Sequence, residues 1–225
     1  MARLIFPLLL GLVGAGVLLS LGFWQVQRLE WKTQILAEID ARLVSEPVAL
    51  PDTVSSDADK YLPVTVAGRL LGGEALVLTS IKDLGAGYRV IAAFEVAENN
   101  RKILIDLGFL ADANRKISRP TGPMEVVGNL HWPEEVDRFT PEPELSRNFW
   151  FARDVERMAN VLGTEPVLVV ARNIAPGIPE ITPMPVDTAS VANDHLTYAI
   201  TWFSMAAVWL GMTALLVWRI RQRTA

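Results

Sequence analysis

Two long apolar runs bracket a chain that otherwise alternates. No charged residue occurs between Leu4 and Val26, and none between Leu196 and Trp218. Each run is about 23 residues, or about 34 Å as a helix, long enough to cross a hydrocarbon core with some tilt. Residues 4–26 and 195–218 are therefore predicted as transmembrane helices. The first is read as an uncleaved anchor, because its apolar core is longer than that of a secretory signal and it runs directly into "FWQVQRLEWK". Over residues 27–44, Leu29, Ile35, Leu36, Ile39 and Leu43 recur near helical spacing among charges, which predicts that the helix continues outward as a stalk.

Between the runs the period shortens to two. "YLPVTVAGRLLGGEALVLTS" predicts two strands around a Gly72-Gly73 hairpin turn, and "GYRVIAAFEVAENNRKILIDLGFL" two more joined at E-N-N-R. "GPMEVVGNLHW" adds a strand, "RDVERMANVLG" a short helix closed by Gly163, and "EPVLVVARN" a last strand before a proline-rich extended stretch. Hairpin-length connections and one helix give the expected class: a membrane α+β protein, two transmembrane helices flanking an antiparallel β-rich domain, curled or partly barrel-like.

Charge orients this arrangement. Arg219, Arg221 and Arg223 follow the second apolar run and Arg3 precedes the first, so the positive-inside rule puts residues 1–3 and the basic tail 219–225 in the cytoplasm. All 25 acidic residues lie between Glu30 and Asp194, against 21 lysines and arginines in the whole 225-residue chain. The domain 27–194 is thus expected on the outer face of a bacterial inner membrane, in the periplasm. Its net negative charge speaks against nucleic acid as a partner. With no cysteine, disulfides, thiolate metal sites and C-x-x-C-H haem attachment are excluded. No nucleotide-binding, P-loop, zinc-protease or nucleophile-elbow motif is present, and no catalytic set stands out. Of the two histidines, His131 sits at a strand end with nothing nearby that resembles a ligand set.

The other histidine opens the second apolar run. On a helix His195, Tyr198, Ala199, Trp202 and Phe203 share one face, offering a nitrogen ligand, a hydroxyl, a gap and two flat rings. Such a face suits a flat apolar cofactor such as haem. The same residues also suit an interfacial anchor, where aromatic and imidazole rings commonly settle. Spacing leaves both readings open. Trp24, Gln25, Arg28 and Trp31 leave the first run at the same level, and Arg28 is either a carboxylate partner or another anchor. Small residues at Gly11, Ala15 and Gly22, and at Ala199, Ala207 and Gly211, mark faces for close helix packing, against each other or against a larger membrane partner.

"GFWQVQRLEWK" leaving the first run, "ILIDLGFL" mid-chain and "NDHLTYAITWF" opening the second together resemble the Surfeit locus protein 1 family. The resemblance covers essentially the whole chain. It implies a non-enzymatic assembly factor for haem-copper cytochrome c oxidase that binds haem a, with His195 as ligand to the haem iron and Tyr198 and Trp202 in their expected places. It also implies as partners the oxidase catalytic subunit and a haem a synthase, together with the lipid bilayer. The alternative implied is a scaffold that stabilises the oxidase or an assembly intermediate without holding haem. One departure is visible: Leu107 stands before Gly108-Phe109 where the family often has arginine.

Overall fold

The alternating segments close on themselves. In the computed structural model, which describes residues 2–82, 84–189 and 191–222 with side chains from Leu4 onward, the chain runs in order α1 (Ala2–Leu43), β1 (Val48–Ala49), β2 (Pro63–Ile81), β3 (Gly85–Val96), β4 (Lys102–Ala111), β5 (Pro123–Leu130), α2 (Val155–Leu162), β6 (Leu168–Ala175), β7 (Ile181–Thr182) and α3 (His195–Gln222). Sheet order is β1-β2-β3-β4-β6-β5, and β5 pairs back onto β2 from Pro63↔Asn129 to Arg69↔Pro123. Five strands thus form a closed barrel, whose ladder leaves no unpaired edge among them. Two of the charges used above for orientation, the Arg3 side chain and Arg223, lie outside the described residues.

The expected antiparallel sheet is corrected in one respect. β4 and β6 run parallel, Leu104↔Leu168 to Asp106↔Val170, as do β1 and β2. The connection between β4 and β6 contains β5 and α2, so the chain returns to the barrel in the original direction, a pairing that no hairpin can make.

Gly72-Gly73 is not a hairpin turn. β2 runs straight through it, pairing with β3 both before (Leu70↔Phe94) and after (Glu74↔Ala92), with the extra residues taken up as a bulge at which Gly72 has φ +82°. Glycine supplies the backbone freedom in either case. The reversal comes later, between Ile81 and Gly85, where β2 and β3 join.

Alternate residues of the barrel strands serve two cores. Val64, Val66, Val90, Phe94, Ile105, Leu107, Val126 and Val169 fill the interior. Ile91, Leu104, Leu168 and Val170 point outward and are covered by Trp150 and by Val155, Met158 and Ala159 of α2. Strands buried on both faces are continuously apolar, which explains runs such as "VIAAFEV" and "ILID". The helix that provides the cover is capped by Asp154, whose carboxylate accepts from the Arg157 backbone N–H at 3.0 Å, and ends at Gly163 in left-handed conformation. Leu107 is fully buried in the interior core, where an arginine would have to bury its charge.

The chain divides into two compact units. One is the barrel with the last turn of α1, residues 39–187; the other joins residues 1–38 with 188–225. Within the barrel unit, Asn129 and Arg172 both donate to the Leu43 carbonyl, at 3.0 and 3.1 Å, satisfying an acceptor that the helix end leaves open.

Candidate functional site

In the helical unit α1 and α3 pack through their small residues. A Cβ added at Gly11 would lie 2.2 Å from Thr213, one at Gly14 2.5 Å from the Trp209 indole, and one at Gly22 2.7 Å from the Phe203 ring. Ala15, Ala199 and Ala206 are buried in the same seam. The α3 side of the seam is therefore Ala199 and Ala206. Ala207 is exposed and Gly211 has open space beside it, so these two do not pack against α1. Trp209 Nε1 donates to the Gly11 carbonyl at 3.1 Å, and Phe23 sets its edge against Phe203 with centroids 5.3 Å apart. Neither tryptophan-to-carbonyl bond nor ring pair was legible, because each depends on how one helix is rotated against the other.

His195 is the first residue of α3 and is half-buried. Its Nδ1 lies 2.7 Å from Oε1 of Gln25, a glutamine only 8% exposed on α1. A buried amide left unbonded would cost about 1–3 kcal/mol, so this contact is held in place by what its loss would leave behind. At the same end of the helix pair Lys32 donates through Nζ to the Ala192 carbonyl. Sequence placed Gln25 near His195 but gave it no part to play.

The other predicted site residues divide. Ala199 is buried, and Trp202 and Phe203 are half-buried beside the seam. Tyr198 is 55% and Trp24 52% exposed, outside the contact between the helices. The Arg28 guanidinium lies 3.8 Å from the centre of the Trp31 ring, so it is stacked rather than ion-paired. Two to three turns further along the pair, about 10–15 Å from the level of Gln25 and His195, an apolar groove of about 670 Å³ opens between the helices, lined by Val17, Leu18, Met205, Val208, Trp209 and Met212 among others.

A second polar cluster sits in the barrel. Asp106 is fully buried and accepts from Arg89 Nε at 2.5 Å and Arg153 Nη1 at 3.3 Å; Arg153 also binds Glu135, and Arg89 the Met184 carbonyl. Burial pushes the Asp106 carboxyl up, against the pull of the two guanidinium groups. Its charges are all paired, which is the pattern of a structural network. Nearby His131 stacks on Tyr61 at 5.6 Å. Burial first, then Arg153 and Lys60, lower its pKa from 6.5 to about 4. Among the described residues no cluster of three or more His, Asp or Glu is placed to hold a metal ion.

With this geometry in view the comparisons are specific. Residues 12–207 match the model of the SURF1 family. Surfeit locus protein 1 of Mus musculus is 30% identical over 84% of this chain and 68% of its own length. The Homo sapiens protein of the same name is 30% identical over 84% and 70%. A SURF1-like protein of Monosiga brevicollis is 31% identical over 87% and 82%. The match includes the barrel and runs far enough into both terminal helices to take in Gln25 and His195. The chain belongs to the SURF1 family.

Proposed function

We propose that this protein is a non-enzymatic assembly factor for haem-copper cytochrome c oxidase, which binds haem a at the outer end of its helix pair and assists insertion into the catalytic subunit. The observation that carries the reading is the buried contact between Gln25 and His195. It occupies one ring nitrogen and leaves the other for iron, at the mouth of a helix pair that is otherwise apolar. Haem iron takes an imidazole ligand, and metal-bound histidines characteristically have their second nitrogen held by a protein acceptor.

The surroundings fit the group. The exposed Trp24 and Tyr198 rings and half-buried Trp202 offer flat apolar surface, Arg28 a cation for a propionate, and the groove beside Val208 and Met212 cover for hydrocarbon substituents. Both terminal helices are long and apolar enough to span a bilayer, with mean hydropathy 2.5 and 1.8 over their most apolar windows. Arg219 and Arg221 in the last turn of α3 favour cytoplasmic termini and a periplasmic barrel in a bacterial inner membrane. In this setting a haem a synthase is the source of the cofactor and the oxidase catalytic subunit its destination.

The test is optical. Protein purified from cells that make haem a is expected to carry near-stoichiometric haem, with a Soret band, and His195→Ala to lose most of it. Equal haem in both proteins, or none in either, would overturn ligation by His195. A scaffold role is the second reading, favoured by the exposed Ala207 and the open space beside Gly211, a small-residue face turned away from α1. It requires that His195→Ala leave oxidase assembly intact.

A further inference from the structure

The part-buried contact between Gln25 and His195 is directional in its chemistry. A glutamine Oε1 accepts only, so the proton between it and the neutral ring belongs to the histidine, on Nδ1. With Oε1 of Gln25 turned to the ring, as in this structure, Nδ1–H is the donor and the lone pair of a neutral His195 ring lies on Nε2. Gln25 is 8% exposed and stands one helical turn from Gly22, the point where the Phe203 ring presses against α1. Close packing on that side limits how far its amide can swing. The acceptor is therefore positioned before any ligand arrives.

We propose that Gln25 is a positioning residue, which holds His195 as the Nδ1–H tautomer and thereby presents Nε2 to an incoming metal. The identity of that metal rests on the haem reading above; the tautomer does not. An outer acceptor of this kind orients the ring and raises its basicity, and losing one typically weakens a metal site 10- to 100-fold.

The experiment uses the full-length protein in detergent, with ¹⁵N-labelled histidine and His131→Phe as the background, so that a single imidazole is observed. In the metal-free state the expected spectrum shows a protonated Nδ1 and a pyridine-like Nε2. Gln25→Leu is expected to lose that preference and to weaken haem binding about 10- to 100-fold. Gln25→Glu, which keeps an acceptor at the same reach, is expected to bind haem nearly as wild type does and to shift its reduction potential downward, because a carboxylate makes the imidazole a stronger donor. This rescue separates positioning from mere packing. It also keeps the test open if the leucine variant misfolds.

A wild-type ring protonated on Nε2, or haem affinity unchanged in Gln25→Leu, would overturn the proposal. A wild-type ring protonated on Nδ1 in a protein that takes up no haem would uphold the tautomer and sink the haem reading instead. Haem held through His195 regardless of residue 25 would uphold the haem reading and sink the positioning role.

Discussion

At the scale of single residues, Gln25 Oε1 and His195 Nδ1 meet at 2.7 Å across the helix pair. His195 was visible as a rare residue at the start of an apolar run, whereas the role of Gln25 was not, because its partner is 170 positions away. His131 gives a separate, measurable consequence. Its folded pKa of about 4 lies below the 6.5 of an open histidine, so between these values the unfolded chain binds a proton that the fold does not. The contribution is fully present above pH 6.5 and is lost as pH falls towards 4, by about 1–2 kcal/mol once partial solvent access is allowed for. The melting temperature of the wild type is therefore expected to fall more steeply than that of His131→Phe between pH 6.5 and 4.5. Parallel curves would show that the stacked ring does not stay neutral.

At the scale of elements, the seam between α1 and α3 can be tested without any cofactor. The chain lacks cysteine, so Gly11→Cys with Thr213→Cys introduces a single pair. A Cβ built at residue 11 lies 3.0 Å from the Thr213 Cβ, so the helices need part by only about 0.5–1 Å to reach the separation that a disulfide spans. This pair is expected to cross-link on oxidation. Adding Gly22→Leu, which drives a side chain into Phe203, should suppress the cross-link, while Gly16→Leu, beside open space, should not.

The strands show what local pattern reveals and what it omits. β3, β4, β5, β6 and α2 were each legible from period or capping, because their signals lie within about ten residues. The Gly72-Gly73 bulge has the local signature of a turn because the same glycines serve both, and only pairing on either side distinguishes them. β1 and β7 are two residues long and have no period to read. Closure of β2 on β5 and the parallel β4–β6 pair are contacts between distant segments, set by three-dimensional packing. The phase of α3, with Ala206 rather than Ala207 inward, likewise depends on its partner helix.

At the scale of the whole molecule, the division into a barrel and a helix pair predicts separable behaviour. The barrel has its own interior core, its closed ladder and the α2 cover, so a chain of residues 39–187 is expected to fold alone with one cooperative unfolding transition. It should take up no haem, since His195 and Gln25 both lie outside it. Haem bound by this fragment would move the site into the barrel, while a fragment without a cooperative transition would show that the barrel depends on the helices.

The separation between Gln25 and His195 also sets an order of events during synthesis. α1 leaves the ribosome long before α3, and the barrel intervenes between them. Until the last helix is in place the glutamine has no imidazole to meet, and the small residues of α1 are without the rings that fill their gaps. Chains stopped after the barrel lack the imidazole and the α3 half of its setting, whatever the state of their strands. The contact thus reports that synthesis has passed the barrel and reached α3.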